Sequence, residues 1–306
     1  MDRTIGIVVP YFDNQDYFHR LVDSILNQDS GAWFLTIVDD SGGNDPLVLR
    51  YDLARDTRID LVVNNHNLGL GKSWNTGLEG MKSLHNPDVV AVIHADDELE
   101  PNYVSRVLAA HEANPDVFAV HTEARIIDEH GSFRFSFPDF IKGIVRPGSS
   151  RDEVVSRGDA GLAQILRGNF VFCPTLSFKT AMCDFPVFDE DWKMTIDLDF
   201  ISRSLLSGKT ILGVADKVYR YRRHGGNLTS RLNKSTERFS EEIKFYEQIS
   251  TTCKNQGFSS SARVAQHMWI VKFHIVYQMM KSVLTANLGL VKKLAVALKD
   301  SFRGSR

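Results

Sequence analysis

The chain has 306 residues, 43% hydrophobic and 24% charged, with a net charge of -2; this globular composition gives no whole-molecule bias toward nucleic acid. Its three cysteines, Cys173, Cys183 and Cys253, are widely spaced with no Cys-x-x-Cys pair, which argues against a disulfide framework or zinc site and suits a reducing compartment. With no run of about 18 apolar residues and no basic-then-apolar leader, the expectation is a cytoplasmic protein without a spanning helix.

The first 125 residues alternate β-branched runs with helical spacing. Residues 4–9, 34–38, 59–63 and 89–93 read as strands buried on both faces. Phe18, Leu21, Val22, Ile25 and Leu26 predict a helix over 14–28. Further helices are expected over 73–84 and 101–113, with Pro101 at a first helical position. This alternation predicts an α/β fold with a Rossmann-like, mostly parallel open sheet, whose ligand crevice lies beyond the carboxyl ends of the strands. From 126 to 232 the pattern is mixed. A polar loop with Gly131, Pro138, Gly143, Pro147 and Gly148 leads to a short helix near 158–167 and a strand over 169–178. A helix near 198–207 and strands over 210–214 and 217–222 follow. The tail reads as helices interrupted near Gly257 and Gly289. Three segments are therefore expected: 1–125, 126–232 and 233–306.

Three strand ends carry polar clusters that such a sheet would bring to one edge. They are Pro10-Tyr11-Phe12-Asp13-Asn14, Asp39-Asp40-Ser41-Gly42-Gly43-Asn44-Asp45 and His94-Ala95-Asp96-Asp97-Glu98. The third strand runs instead into a Gly/Asn-rich loop, 64–80, that opens a helix. Adjacent carboxylates after a buried strand repel unless a cation or hydrogen-bond donors compensate. Mn²⁺ or Mg²⁺, held by one or two carboxylates plus substrate phosphates, is a natural compensation. Taken alone, Asp96-Asp97 fits a solvated turn or helix N-cap equally well. The second pair, Asp39-Asp40, favours a ligand site, with a base N–H as partner; a loop cap before Gly42-Gly43 is the alternative.

In order, IGIVVPYFDNQDYFHRLVDSILNQ, LTIVDDSGGND, NLGLGKSWNTGLEG and VAVIHADDELEPNYV resemble the family 2 glycosyltransferases of the GT-A fold, over roughly residues 4–230. The resemblance implies an inverting, nucleotide-sugar-dependent transferase. Residues 1–125 would be the donor-binding half, 126–232 the acceptor-binding and catalytic half, and 233–306 a helical extension. It implies that Pro10, Tyr11 and Asp13 line the base pocket, and that Asp39 reads the N3–H of uracil or thymine with Asp40 beside it. Asn67, Gly69, Lys72 and Asn75 belong to the same nucleotide site. Asp96 would touch a Mn²⁺ or Mg²⁺ ion and the donor diphosphate, supported by Asp97. His94 departs from the usual first Asp of that motif, as a ligand, a ribose contact or a space-filler. Trp74 departs from a common Arg, which removes an Arg-to-diphosphate contact there.

By the same resemblance the general base is Asp197, in TIDLDF, with Ile196 where Glu is usual. It would take the proton of an acceptor hydroxyl as the oxygen attacks the anomeric carbon. Asp199 and Asp191 compete for that role, and a plain helix N-cap is the structural alternative. Asp199, Trp192 and Thr175 would lie on the acceptor side. The stretch 219–227 resembles a late Tyr-Arg-x-His segment, placing His224 at the metal and diphosphate; a basic surface turn is the alternative.

Residues 263–306 hold eight Lys/Arg and one acid, Asp300, beside an apolar stretch over 268–277. That composition suits peripheral membrane contact, packing on the catalytic domain, or a homo-oligomer contact. A basic apolar tail on such an enzyme suits a glycan or lipid-linked saccharide acceptor. Two rival functions stand. Gly71-Lys72-Ser73 evokes a P-loop hydrolase, but His66 occupies the position that loop needs as its first glycine. The departures at His94 and Ile196 suit a degenerate nucleotide-sugar-binding protein.

Overall fold

A computed structural model describes residues 3–12, 15–42, 56–148, 152–226 and 236–303. The first half runs β1 (Ile5–Tyr11), α1 (Gln15–Leu26), β2 (Trp33–Asp39), β3 (Ile59–Val63), α2 (Leu70–Leu84), β4 (Val89–Val92), β5 (Glu98–Leu99), α3 (Tyr103–Ala113), β6 (Ala119–His121) and β7 (Ala124–Ile127). There follow α4 (Phe137–Val145), β8 (Val154–Arg157), α5 (Gly158–Arg167), β9 (Leu176–Lys179), α6 (Ile196–Leu206), β10 (Thr210–Gly213) and β11 (Tyr219–Arg222). Four helices end the chain: α7 (Glu237–Asn255), α8 (Ser259–His267), α9 (Trp269–Leu284) and α10 (Leu288–Arg303).

An eight-stranded sheet has the order β3-β2-β1-β4-β9-β6-β10-β8. The β3-β2-β1-β4 block is parallel, as is β6-β10, while β9 and β8 run antiparallel to their neighbours. A second sheet, β5-β11-β7, stands beside it. The large sheet crosses the expected boundary near 125, because β6 pairs with the late strands β9 and β10.

Alternation along β1 sorts its side chains between two cores. Ile5, Ile7, Val9 and Tyr11 pack with α1 and α3, whereas Val8 packs with Trp74, Leu78 and Met81 of α2. Close contact on the α2 side needs glycine. A Cβ on Gly77 would lie 2.4 Å from Val8 Cγ1, and one on Gly6 would lie 2.6 Å from Met81 Cγ.

The structure departs from expectation in several places. The strand over 169–178 is confined to β9, because Cys173–Thr175 closes a short 3-10 turn around Pro174. The C-terminal helices break where expected, at Gly257 and just ahead of Gly289, where Ala286 has φ 54; a further break, not expected, follows α8 at Met268, with φ 49. The short strands β6, β7 and β8 and the helix α4 were not foreseen, since runs of three or four residues carry little periodicity. The C-terminal helices join the main core rather than trailing from it. Phe239, Phe245, Tyr246 and Ile249 are buried with α5 and α6, and Tyr246 Oη donates to the Leu166 carbonyl at 2.8 Å.

Candidate active site

Parallel β1, β2 and β4 end at one edge of the sheet. At the end of β2, Asp39 and Asp40 are both buried. Asp39 Oδ1 accepts the Ser41 N–H at 2.8 Å. Asp40 Oδ1 accepts Asn64 Nδ2 at 2.8 Å and the Leu68 N–H at 2.9 Å, tying the strand end to the loop ahead of α2. In that loop Asn67 Oδ1 accepts the Gly69 N–H at 2.8 Å. Gly69 sits at φ +85, a conformation that favours glycine, and starts α2. Lys72 projects exposed from the first turn.

At the end of β4, one carboxylate is locked and the other is presented. Asp97 is fully buried; its Oδ2 accepts Tyr219 Oη and its Oδ1 the Arg222 N–H, both at 2.7 Å. Burial and the neighbouring Asp96 charge push its pKa well above the ordinary carboxylate range, against those two bonds. For Asp96, burial is the largest influence and acts upward. The His224 hydrogen bond and the charges of His94 and His224 outweigh it, so its pKa is lowered. His224 Nε2 lies 2.8 Å from Asp96 Oδ2, its ring against Tyr17 at 4.9 Å between centroids.

Beneath them Arg222 is wholly buried. Its Nε donates to the Asp96 carbonyl at 2.8 Å, Nη1 to the Asp128 carbonyl at 2.7 Å, and Nη2 to Glu98 Oε1. The small sheet thus holds the Asp96 backbone in place. His94, Asp96 and Asp97 each offer a ligand atom, all within 4.8 Å of one another. Burial lowers the His94 pKa, with the charges of Asp96 and Asp197 opposing; a neutral imidazole keeps a lone pair for a cation. The Asp96 carboxylate with His94 beside it suits Mn²⁺ or Mg²⁺, while Asp97, whose two oxygens already accept from Tyr219 and Arg222, stands behind it.

The charge of Asp197 reaches His94 from across the crevice. Asp197 is the second residue of α6, and Asn169 Nδ2 donates to its Oδ2 at 3.0 Å. Burial raises its pKa; the Lys142 charge and the Asn169 bond act against that. Lys142 of α4 donates to the Val171 carbonyl at 3.0 Å and lies 4.2 Å from the centre of the Phe172 ring. Its own pKa falls to about 8, chiefly through burial. The segment leading to Asp197 is held from outside. Glu241 Oε1, from α7, accepts the N–H groups of Lys193, Met194 and Thr195 at 3.1, 2.6 and 2.9 Å, and Thr195 Oγ1 at 3.1 Å.

Several candidates do other work. Asn75 is buried: its Nδ2 donates to the Phe188 carbonyl at 2.8 Å and to Glu190 Oε1 at 3.1 Å, and its Oδ1 accepts the Phe188 N–H at 2.9 Å. Its amide tethers the 188–190 segment. Trp192 is buried edge-on to Phe245, and Thr175 is buried with Oγ1 donating to the Phe172 carbonyl at 2.8 Å. Tyr11 is buried against Phe18, 4.7 Å between ring centroids, so its side chain belongs to the core. Pro10 is half-buried at the strand end. Asp13 lies outside the described residues. Asp199 pairs with Arg203 at 2.7 Å on a different face of α6 from Asp197, and Asp191 is exposed. Ser73 of the Gly-Lys-Ser run is buried.

Lys142, Asn169, Arg222 and Glu241 escaped the sequence reading. Only Arg222, inside the Tyr-Arg-x-His-like segment, carried a local signal.

Comparison with known proteins gives the family and the fold. The family model "Glycosyl transferase family 2" matches residues 6–158, half of the chain. A chondroitin synthase of Escherichia coli is 27% identical over 129 residues, 42% of this chain and 18% of that protein. A glucosyl-dolichyl phosphate glucuronosyltransferase of Haloferax volcanii is 30% identical over 118 residues, 38% of this chain and 36% of that protein. The matched stretches thus span well under half the length of these relatives. The crystal structure of S. aureus TarS 1–349 in complex with UDP-GlcNAc superposes with a TM-score of 0.70 at 16% identity, over 99% of this chain and 82% of that one. At that identity the likeness speaks for the fold, a GT-A fold. The chain belongs to glycosyl transferase family 2.

Proposed function

We propose that this chain transfers a sugar from a UDP- or dTDP-sugar to a hydroxyl of a glycan or lipid-linked saccharide, with inversion at the anomeric carbon. The observation that carries this reading is that Asp197, about a hundred residues away in sequence, lies near enough for its charge to act on His94 beside Asp96. Asp197, at the start of α6, is the carboxylate that reaches the metal-type cluster from another element. One base and one displacement give inversion. Asp197 accepts the acceptor hydroxyl proton, and Asn169 and Lys142 hold its carboxylate.

On the donor side, Asp39 offers its carboxylate to a base N–H, with Asp40 bracing the loop that carries Asn67, Gly69 and Lys72. Lys72, exposed at the start of α2, is available to a phosphate. Asp96, with His224 or His94, would hold Mn²⁺ or Mg²⁺, and Asp97 keeps Asp96 in register through Tyr219 and Arg222. Such an ion, when bound, offsets the negative charge gathering on a departing diphosphate. The UDP-GlcNAc bound by TarS and the saccharide polymers implied by the relatives' names favour a UDP-sugar and a saccharide acceptor.

The test is release of UDP or dTDP across a panel of donors and acceptors, with and without Mn²⁺. Dependence on acceptor and on Asp197 supports transfer. Donor binding without turnover in any combination would favour a nucleotide-sugar-binding protein instead. Retention of anomeric configuration in the product would refute inversion.

A further inference from the structure

The outward face of α9 is apolar. Trp269, Phe273, Val276, Met280, Val283 and Leu284 are each at least 42% exposed, and Leu284 is 87% exposed. Val271 and Ile275, on the opposite face, are buried in the core. A helix whose inner face already fills the core has no folding reason for a second apolar stripe, and an exposed stripe this long marks a contact surface.

Charge says what it contacts. Residues 248–299 contain seven Lys/Arg and no Asp or Glu. Lys281 on α9 and Lys292, Lys293 and Lys299 on α10 are exposed, and the two helices pack together, with Lys272 over the Phe302 ring at 4.4 Å. At the N-terminal end of the stripe lies a cavity of about 300 Å³ lined by Leu166, Arg167, Arg263, Val264, His267 and Trp269. Arg167 and Arg263 are exposed and have no ion-pair partner among the described residues. Trp269 belongs to both cavity and stripe, so the two form one continuous surface.

We infer that this surface docks the protein on an anionic lipid bilayer, the α9 stripe entering the acyl boundary and the Arg167–Arg263 recess taking a lipid phosphate. No helix among the described residues is long and apolar enough to cross a membrane, so the contact is interfacial. An amphipathic helix flanked by lysines lies in the plane of such a surface, and each basic residue adds attraction to anionic headgroups. The 4-3-4-3 spacing from Trp269 to Val283 also suits a second helix. Against a second copy of the chain, however, the lysines would face lysines, with Asp300 the one carboxylate on α9 or α10 to set against them. The docking goes beyond the proposed transfer and does not depend on which donor is used.

The test is co-sedimentation of the full chain with vesicles of phosphatidylcholine alone and of phosphatidylcholine with phosphatidylglycerol, with tryptophan emission read in parallel. Trp33, Trp74 and Trp192 are buried, so a blue shift reports Trp269. Expected are binding and a blue shift with the anionic vesicles only, both weakened by salt. Phe273→Ser combined with Met280→Ser removes binding. Arg167→Ala with Arg263→Ala weakens it by about fivefold per charge. All these sites are exposed, so the melting temperature stays near that of the wild type. Failure of the wild type to bind anionic vesicles overturns the inference, as does equal binding to neutral ones. It is also overturned if light scattering finds a dimer that Phe273→Ser with Met280→Ser converts to monomer without vesicle binding.

Discussion

His224 Nε2 sits 2.8 Å from Asp96 Oδ2, although 128 residues separate them. The contact exists because β11 pairs with β5, immediately after the Asp96-Asp97 turn, so the late basic segment is delivered to the first carboxylate. Substituting Asp96→Asn is expected to abolish the rise in melting temperature produced by Mn²⁺ with UDP, and His224→Ala to reduce it. For wild type at ligand one hundred times its dissociation constant, the stabilisation is about 2.7 kcal/mol. Differential scanning fluorimetry with and without Mn²⁺ checks this; an unaltered shift in Asp96→Asn removes Asp96 from the site.

Asp197→Asn is expected to lower kcat by about 10²- to 10⁴-fold, with donor affinity retained. Burial raises the folded pKa of Asp197, so the acid limb of the pH–rate profile lies above the ordinary aspartate range. The same shift sets the sign of its effect on stability. The folded chain holds this proton more tightly than the unfolded chain. Stability from this group is therefore greatest below pH 3.8 and declines as pH rises from there through the folded pKa. Asp197→Asn should then melt no lower than wild type at pH 7 while being nearly inactive, which calorimetry paired with kinetics would reveal.

Lys142 helps hold Asp197 ionised. Lys142→Met should move the acid limb to higher pH, with wild-type rates approached once the medium is alkaline enough to ionise Asp197. A pH–kcat profile with an unmoved acid limb would show that Lys142 does not act through the base.

Glu241→Ala leaves four donors in the turn before Asp197 without their acceptor, at a cost of about 1–3 kcal/mol for each that stays buried. Expected are a lower melting temperature and a reduced kcat with little change in KM for the donor. Glu241→Gln, which keeps Oε1, should recover much of both. A kcat unaffected by Glu241→Ala would show that the α7 contact supports stability alone.

Arg222→Met removes a buried guanidinium that serves Glu98 and the carbonyls of Asp96 and Asp128. Breaking a buried charged pair costs about 3–5 kcal/mol. Urea unfolding of the variant measures the loss, and it should be accompanied by loss of Mn²⁺-dependent stabilisation.

The sequence by itself determined the parallel half. Its β-branched runs alternate with helical spacing, and each polar cluster directly follows a strand, so the crevice position was legible from local order. The four motifs also pointed to the family. The antiparallel β9 and β8 and the small sheet β5-β11-β7 were decided only by tertiary structure, because strands of two to four residues carry little periodicity and pair across long stretches of chain. The same reason separates the site residues. Asp39, Asp96 and Asp197 stand in motifs, whereas Glu241, Lys142 and Asn169 work through contacts that no spacing encodes. Asn75, Trp192 and Thr175 show the converse: residues inside or beside a motif whose side chains packing turned inward, because a close-packed α/β core buries whichever face the sheet and helix share.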